Sequence, residues 1–463
     1  MSEAFAIVVD IGKTMSKVTL WSCEGAMLDR QVHPNAVVES NGLRRLDVSG
    51  IGEWLIEALM AYGGKPIEYV IPVVHGAGVA GIIDDGLAFP PLDYEQVIPG
   101  EVLAAYRRER DPFPVTGSPA LPDGLNFGAQ LYWLERLDPR MDRATLLPWA
   151  QYWSWFFSGE AVSEVTSLGC HSDLWSPTKG RLSPMAERLG WAQRFAPLRP
   201  AGEVVGTLRP KLAARTGLPA SVKVLAGLHD SNAALLAAGG FTEIADNETT
   251  VLSTGTWFIA MRLPGEPVDL ANLPEARDCL VNVDIHGRPV PSARFMGGRE
   301  IETLIELDTR RIDIKPDQPA LLAAAPQAIE AGVMVLPTLA PGFGPFPQGE
   351  TCWIGEPQND FARRAAASLY AALVTDASLD LIGSRERLLV EGRFAEAEVF
   401  VRALAALRPG TLVYTANAHN DVSFGALRLV NPALRPQGEL RLFEPLPGDL
   451  AAYRARWRAA IGG

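Results

Sequence analysis

One acidic residue between an apolar run and a stretch of small residues is the first candidate for chemistry in this sequence. Asp230 follows His229 in AGLHDSNAALLAA, directly after VKVLAG, so we expect it where a strand gives way to a helix. A carboxylate in such a place can take the proton of a substrate hydroxyl that comes within hydrogen-bond reach. The alternative is a helix N-cap, a position that Asp favours. His229 would bind the same substrate or simply pack.

Two segments on either side of this residue share one pattern. AIVVDIGKTMSKVTLW (6–21) and TTVLSTGTWFIAMRL (249–263) each consist of an apolar, β-branched run, a tight turn with Gly, Ser, Thr or Lys, and a second apolar run. The pattern predicts a strand, a phosphate-sized turn and another strand. Because it recurs after about 240 residues, which is too long for a solenoid repeat, it favours duplication of a whole domain.

The two turns offer the donors that a phosphate group needs. Glycine lets the backbone approach a phosphate closely, and neighbouring hydroxyl and amide groups donate to its oxygens. Lys13 adds one positive charge, which would contact a phosphate or point to solvent. An ordinary hairpin turn is the alternative for the first segment. The predicted phosphate-binding residues are Gly12, Lys13, Thr14, Thr254, Gly255 and Thr256.

The composition is that of an ordinary globular protein. With 463 residues, of which 48% are hydrophobic and 21% charged, the chain is long enough for two or more domains. The net charge of −12, without a stripe of Lys and Arg, argues against a nucleic-acid surface. No apolar run reaches the length of a membrane span, and an acid stands where a signal peptide carries positive charge. We therefore expect a cytoplasmic protein.

Its four cysteines lack the CxxC spacing of a zinc site, so we expect unpaired thiols at Cys23, Cys170, Cys279 and Cys352.

Alternation of strand and helix patterns predicts an α/β architecture. Three strands within 4–34 are followed by an amphipathic helix at 50–62 and a strand at 67–74. A helical, loop-rich stretch at 99–199 holds six Trp residues, which we expect in the core. Further expected elements are a strand at 222–227, two strands within 249–263, helices at 319–330 and 360–382, and a strand ending at 392, with a domain boundary near 239–247.

The order of three motifs resembles the FGGY carbohydrate kinases of the actin-like, hexokinase-like ATPase superfamily. These motifs are DIGKT (10–14), GLHD (227–230) and STGTW (253–257), and the resemblance covers essentially the whole chain. NFGAQLYWLE, AGEVVGTLRP and VLSTGTWFIAMRL look like the L-fuculose and L-rhamnulose kinases within that family. The resemblance implies an α/β fold of two ribonuclease H-like, actin-type ATPase domains with an interdomain cleft. It assigns sugar binding and the base to 1–242, and nucleotide binding to 243–463.

The same resemblance gives roles to the candidate residues. Asp230 would be the general base, His229 a sugar ligand, and Asp10 the residue that orients magnesium-bound water, so that ATP and Mg2+ are implied. The two turns would hold the phosphates of one ATP. Closure of the two domains would keep water away from the reacting groups.

The nucleotide end of the sequence departs from the family pattern. Where a Gly-Gly-Gly stretch normally lets adenosine lie against the backbone, this chain reads VEGRFAEAE. Gly392 and Arg393 are therefore the nucleotide-binding candidates, with Arg393 or Phe394 stacking on the base, and simple helix-start chemistry is the alternative. Gly425 keeps the small residue of the family's last glycine-containing segment.

The sugar end departs as well. Where related kinases carry a sugar-binding acid in a short turn, this chain reads HGAGVAG (75–81), so His75 or Asp93 would take its place. The loop PGFGPFPQGE (341–350) is either a lid over the site or a surface loop.

Taken with the resemblance, these residues predict an ATP-dependent kinase for a primary hydroxyl of a small ketose. The favoured substrate is a 6-deoxyketohexose such as L-fuculose or L-rhamnulose, because the missing hydroxyl at C6 leaves C1 as the acceptor. The alternatives are a kinase for a pentulose or a polyol, and a regulator that binds sugar or nucleotide without catalysis. The expected partners are the sugar and ATP, with neither nucleic acid nor membrane, and a homodimer is left open.

Overall fold

Two seven-stranded sheets organise the chain in this computed structural model, which describes residues 4–311, 314–417 and 422–462. The chain forms two compact units. The first contains the described residues of 4–240, 281–289 and 422–436, and the second contains those of 241–280, 290–311, 314–417 and 437–462. The change of unit after residue 240 falls in the stretch where the sequence predicts a boundary. Sugar binding by one unit and nucleotide binding by the other stay predictions.

Strands and helices alternate through the first 240 residues. The strands are β1 (Phe5–Ile11), β2 (Met15–Ser22), β3 (Met27–Pro34), β4 (Val37–Ser40), β5 (Leu43–Leu46), β6 (Ile67–Val74), β7 (Val79–Ile83), β8 (Gly86–Phe89), β9 (Thr145–Pro148), β10 (Trp175–Ser176), β11 (Arg181–Leu182), β12 (Val204–Thr207), β13 (Lys223–Leu225) and β14 (Leu228–His229). The helices are α1 (Val48–Met60), α2 (Gly100–Glu109), α3 (Phe113–Thr116), α4 (Phe127–Leu137), α5 (Trp149–Ser158), α6 (Val165–Leu168), α7 (Pro184–Arg188), α8 (Pro210–Thr216) and α9 (Asp230–Ala238). The predicted first three strands, the helix α1 and the strand β6 are confirmed.

The alternation continues in the rest of the chain. The strands are β15 (Thr249–Thr254), β16 (Phe258–Leu263), β17 (Cys279–Val283), β18 (Pro289–Phe295), β19 (Met334–Leu336), β20 (Cys352–Ile354), β21 (Arg387–Gly392), β22 (Leu412–Ala416) and β23 (Leu440–Leu442). The helices are α10 (Gly297–Ile305), α11 (Gln318–Ala331), α12 (Asp360–Leu381), α13 (Glu398–Leu407), α14 (Val422–Leu427) and α15 (Leu450–Ile461). Helices α11 and α12 confirm the two predicted Ala-rich helices, and β21 ends at residue 392 as predicted.

Six strands of each large sheet have the same arrangement, and the seventh strand differs in position. The first has the strand order β12-β13-β6-β1-β2-β3, with β14 also beside β6, and the second has the order β23-β22-β21-β15-β16-β18-β17. In each sheet the first strand pairs antiparallel with the next one and parallel with the strand on its other side, as β1 does with β2 and β6, and β15 with β16 and β21. This repetition agrees with the duplication that the two similar turns indicate.

Three parallel strands of the first sheet end together. Val74, the last residue of β6, pairs with Ile11 of β1 on one side and with His229 of β14 on the other. Because neighbouring strands lie about 4.8 Å apart, the residues that follow these three ends emerge within about 10 Å of one another. They are the first turn, His75 and Asp230. A sheet edge formed by the carboxyl ends of parallel strands is the usual place for a ligand site in α/β folds.

Helix α14 belongs to the first unit and packs against α9. Gly425 of α14 lies so close to α9 that a Cβ atom added to it would stand 1.7 Å from the carbonyl oxygen of Ala233. Phe424 packs against Trp21, with 6.0 Å between the ring centroids. A segment near the end of the chain therefore covers the helix that begins at Asp230.

The apolar residues behave as the sequence predicts. The aromatic cluster between residues 99 and 199 forms core, and its six buried tryptophans are Trp133, Trp149, Trp153, Trp155, Trp175 and Trp191. The four cysteines are unpaired. Among the helices in the described part of the chain, none has both the length and the apolar character that a membrane crossing requires.

Candidate active site

Asp230 has one occupied and one open carboxylate oxygen. Its Oδ1 accepts from the amide of Ser231 at 2.6 Å and from the Ser231 hydroxyl at 3.3 Å, and it lies 3.1 Å from His229 Nε2. Within the described residues no side chain or amide bonds to Oδ2, and the side chain is 32% exposed. A helix N-cap would instead accept from an amide two or three residues further on. The carboxylate is therefore held by one oxygen and presents the other.

The surroundings of Asp230 keep it ionised. Burial raises the pKa of the Asp230 carboxyl group, but neighbouring groups lower it by more. They are His229, through its positive charge and its hydrogen bond, His75, and the Ser231 amide. The pKa of Asp230 therefore lies below its ordinary value. At neutral pH the open oxygen is thus a carboxylate oxygen that can accept a proton.

The imidazole of His229 is enclosed by protein groups. Besides Asp230, its Nε2 lies 3.3 Å from the Sγ of Cys170, and its Nδ1 lies 3.4 Å from the amide nitrogen of Asn232. Its backbone amide donates to the Thr166 hydroxyl at 3.0 Å, and the residue is 5% exposed. Sugar binding by His229 stays a prediction, but both of its ring nitrogens already have neighbours.

His75 presents the opposite case. It is buried, and neither ring nitrogen has a hydrogen-bond partner among the residues that the structure describes. Burial lowers the pKa of His75 to about 4, helped by nearby His229 and Lys13 and opposed by Asp230 and Asp93. At neutral pH the ring is uncharged and offers one donor and one acceptor. Because buried polar groups without partners are costly, a hydroxyl-bearing ligand would stabilise this residue.

Lys13 contacts an acidic residue and not open solvent. Its Nζ forms a close ion pair with Asp93, lies 3.5 Å from Glu95 Oε2 and sits 4.3 Å from the ring centroid of Tyr94. Asp93 is fully buried, and its second oxygen lies 3.3 Å from Arg44. Burial opposes ionisation, but these cations and the Glu95 amide lower the pKa of Asp93. The structure thus brings the predicted residues Lys13 and Asp93 together as a pair.

The rest of the first turn keeps donors open. The Gly12 amide donates to the Met15 carbonyl at 2.9 Å, which closes the turn. Over the described ranges, the amides of Lys13 and Thr14 donate to no protein acceptor, and Thr14 is exposed. Asp10, at the end of β1, is paired with Lys17 at 2.9 Å.

The predicted residues of the second turn differ in exposure. Gly255 and Thr256 are exposed, whereas Thr254 is buried. The Thr254 hydroxyl donates to the Glu391 carbonyl at 2.5 Å and accepts from the Phe394 amide at 3.0 Å. It therefore connects β15 to the end of β21, and phosphate binding by Thr254, Gly255 and Thr256 stays a prediction.

The segment VEGRFAEAE, which differs from the family's glycine-rich stretch, has defined contacts in the structure. Gly392 has φ +83, and a Cβ there would lie 2.3 Å from the Thr254 carbonyl oxygen, so only glycine fits. Phe394, which the sequence left open as a base-stacking residue, is buried against Phe258 at 5.2 Å between ring centroids. Arg393 begins a short 3-10 helix (Arg393–Glu396). Burial raises the pKa of Glu391 to about 7.

Two further segments singled out in the sequence also have defined contacts. Gly425 permits the close approach of α14 to α9, so its place in the structure is a helix contact, and a nucleotide role for it stays a prediction. The loop at 341–350 packs onto the second turn through Phe343, whose ring centroid lies 5.4 Å from that of Trp257.

Some residues around Asp230 could not be found by sequence reasoning. Cys170 was considered only as a free thiol, and no motif connects it with a histidine 59 positions later. Asn232 follows the motif by two residues and gave no separate signal. Lys17 gave no separate signal either, and it pairs with Asp10.

Comparison with known proteins agrees with this geometry. Residues 246–437 match the family model for the carbohydrate kinase FGGY C-terminal domain. The crystal structure of a carbohydrate kinase from Novosphingobium aromaticivorans is 67% identical in sequence and superimposes with a TM-score of 0.97, covering 100% of this chain and 99% of that one. This chain belongs to the FGGY carbohydrate kinase family. The predicted family and fold class, two ribonuclease H-like domains of the actin-type ATPase kind, are thereby confirmed.

More distant FGGY kinases are similar over different lengths. An L-fuculokinase from Salmonella typhi is 27% identical over 284 residues, and the match spans only 58% of this chain and 58% of that relative. A gluconate kinase from Lactobacillus acidophilus, at 13% identity, has a TM-score of 0.79 over 100% of this chain and 96% of its own. The latter likeness concerns the fold alone.

Proposed function

We propose that this FGGY kinase transfers a phosphoryl group from ATP to a primary hydroxyl of a small ketose, with Asp230 as the general base. The observation that carries the proposal is the open oxygen Oδ2 of the ionised Asp230. Near it lies the buried His75, whose ring nitrogens have no hydrogen-bond partner among the described residues. A base and a neutral hydrogen-bonding group at one sheet edge suit a polyhydroxylated substrate.

Asp230 and His75 would have different roles in the reaction. The primary hydroxyl would donate to Asp230 Oδ2, which takes its proton as the bond from oxygen to phosphorus forms. His75 would donate to one neighbouring sugar hydroxyl and accept from another, fixing the sugar's orientation. The ion pair with Asp93 engages Lys13, which therefore has no part in this step.

Each of the two turns offers groups of the kind that bind ATP and its magnesium ion. The open amides of the first turn and the exposed Gly255 and Thr256 are donors of the kind that bind phosphate oxygens. Mg2+ keeps several waters and needs only one or two carboxylates besides phosphates. Asp10 can supply one, and in the described ranges no group of three or more acidic, His or Cys side chains forms a complete metal cage. When bound, Mg2+ would neutralise charge on the phosphate oxygens.

For the sugar, we favour a 6-deoxyketohexose such as L-fuculose or L-rhamnulose. The motifs that resemble those kinases and the similarity to an L-fuculokinase support this choice. A pentulose or a polyol is the second candidate, because a neutral His75 replaces the acid expected at the sugar end. We also place the kinase in the cytoplasm, supported by its four unpaired cysteines, and a homodimer stays a prediction.

The test is a coupled ADP-release screen over ketoses, pentuloses and polyols. We expect one 6-deoxyketohexose to give the highest kcat/KM, and Asp230→Asn to lower kcat by about 10²- to 10⁴-fold. The matched control is Asp85→Asn, the same change at a side chain that is 91% exposed, which should keep full activity. If no sugar stimulates ATP turnover, or if Asp230→Asn stays fully active, the proposed mechanism is wrong. A pentulose that outperforms the deoxyketoses would replace the favoured substrate.

A further inference from the structure

The geometry around the base points to a role for its neighbours that sequence motifs did not reveal. We propose that Cys170 and Asn232 hold the imidazole of His229 against Asp230, so that His229 and Cys170 are positioning residues for the base and not ligands of the sugar. The inference rests on the proposed function of Asp230 and deepens it. It also explains why only one oxygen of that carboxylate is open.

The ring of His229 is fixed from both ends. Asn232, one turn along α9, faces Nδ1 at 3.4 Å, while Nε2 lies between the Asp230 carboxylate at 3.1 Å and the Cys170 thiol at 3.3 Å. The ring is buried, so it has little room to turn toward a substrate. With Nε2 as the donor, its hydrogen bond occupies Oδ1 and leaves Oδ2 for the substrate proton.

Gly76 makes this arrangement possible. A Cβ at that position would lie 2.4 Å from Cys170 Sγ and 3.0 Å from His229 Cδ2. The absence of a side chain directly after His75 therefore lets the thiol and the imidazole meet beneath the sugar end of the site. The glycine of the HGAGVAG turn has a packing reason that the sequence alone did not supply.

A second layer holds the backbone of His229. Its amide donates to the Thr166 hydroxyl, and that hydroxyl donates to Glu164 Oε2 at 2.6 Å. Glu164 is fully buried and also accepts from the amides of Thr166 and Ser167 at 3.0 and 3.2 Å. The start of α6 thus fixes the main chain from which the base projects.

The charges near the ring form an alternating row. Burial opposes ionisation of the Cys170 thiol, but His171 and His229 lower the pKa of Cys170 to about 6. Burial also opposes protonation of His229, yet Cys170 and Asp230 raise the pKa of that imidazole. The groups on either side of the ring, Cys170 and Asp230, thus both favour a proton on the imidazole. The other titratable groups facing this row are His75, Glu164, Lys13, Asp93 and Tyr94.

The first measurement needs no turnover and therefore stands apart from the proposed function. Ultraviolet absorbance of thiolate is followed from about pH 4 to about pH 9 in the wild type, in Cys170→Ser and in Cys352→Ser, whose thiol is exposed. We expect a Cys170-dependent thiolate that titrates near pH 6 and moves up by about one unit or more in His229→Gln. A Cys170 thiolate that appears only above about pH 8, the range of an unperturbed thiol, would overturn the contact.

The second measurement separates positioning from sugar binding. We expect His229→Leu to lower kcat about 10²-fold, with the KM for the sugar changed less than about threefold and the acidic limb of the pH profile moved to higher pH. His229→Gln, which keeps a donor near the place of Nε2, should recover part of kcat. A KM for the sugar that rises tenfold or more at unchanged kcat would show that His229 binds sugar and would overturn the proposal.

Two further outcomes are informative. If thermal unfolding shows that His229→Leu does not fold, the comparison of His229→Gln with Cys170→Ser decides, because both should lower kcat at unchanged KM and a sugar ligand would do the reverse. If the wild type phosphorylates no sugar, the proposed function fails, while the thiolate titration still decides whether Cys170 and His229 are in contact.

Discussion

Individual residues show where sequence reasoning reached the site and where it stopped. Asp230 was singled out as a lone acid between an apolar run and small residues, and the two turns because glycine and hydroxyl residues stand out between strands; their roles stay predictions. Which oxygen of Asp230 is open could not be predicted, because that depends on the side chain of His229. The ion pair of Lys13 and Asp93 joins residues 80 positions apart, and no pattern in either segment predicts it.

The pairing of Lys13 and Asp93 leads to a prediction at this scale. Lys13→Met should lower the free energy of unfolding by about 2 kcal/mol, because among the described residues it leaves Arg44 as the remaining cation beside a fully buried carboxylate. The KM for ATP should change less than about threefold. Urea unfolding and steady-state kinetics measure the two effects. A rise of tenfold in the KM for ATP at unchanged stability would instead support the phosphate contact predicted from the sequence.

Secondary-structure elements were predictable where the hydrophobic pattern is long. β1, β6 and α12 each have a clear period, and their ends fall close to the predicted ones. β14 has two residues and α14 has six, too few for a period to emerge, although these short elements place Asp230 and cover its helix. The sequence therefore predicts the long strands and helices better than the short elements around Asp230.

The contact between α14 and α9 gives a prediction for an element. Gly425→Ala should lower the free energy of unfolding by about 2 to 3 kcal/mol, because its Cβ would overlap the Ala233 carbonyl and push α9 aside. Since Asp230 begins α9, kcat should fall as well. Gly410→Ala is the matched control, because that position is exposed and has open space around it. Equal stability of the two variants in thermal unfolding would contradict the close approach.

The pair of helices α10 and α12 gives a prediction about pH. Glu300 is 3% exposed and accepts from the Tyr370 hydroxyl at 2.9 Å, and burial raises the pKa of Glu300 to about 7. The folded protein keeps this proton to about pH 7, whereas the unfolded chain releases it near pH 4.5. Stability from this residue is therefore lost as the pH rises through that window.

Glu300→Gln should remove that loss. We expect similar stability of wild type and variant at about pH 4 and an advantage of about 3 kcal/mol for the variant above about pH 7.5. Urea unfolding across this pH range measures the difference. Glu306→Gln, on an exposed side chain at the end of the same helix, should change stability by less than about 0.5 kcal/mol at every pH. A constant difference between Glu300→Gln and wild type would show that the pKa of this carboxyl is the same in the folded and unfolded states, which contradicts the prediction.

For the whole molecule, the sequence predicted two domains and a duplication, and six strands of each sheet repeat one arrangement. What it did not predict is that the chain returns to the first unit twice, at 281–289 and 422–436. Both segments are short, 9 and 15 residues within the described ranges, which is too little sequence for a boundary to show in the composition. Contacts of long sequence separation are the part of a fold that local patterns do not encode.

This return gives a prediction for the molecule as a whole. The fragment 1–242 should show no cooperative thermal unfolding, because it lacks the segment that covers α9 and packs on Trp21. The same fragment joined by a flexible Gly and Ser linker to residues 420–436 should recover part of the transition in circular dichroism. A scrambled 420–436 segment on the same linker is the control. A fragment 1–242 that unfolds cooperatively without any addition would contradict the prediction.

The late position of α14 also affects biosynthesis. Ribosomes release roughly 5 to 20 residues per second, so the helix that closes the first unit appears roughly 10 to 40 s after residue 240. During that interval the side of α9 that α14 will cover is unprotected on the nascent chain. The surroundings of Asp230 are therefore completed only near the end of translation, and until then the apolar side of α9 is open to contact with other chains.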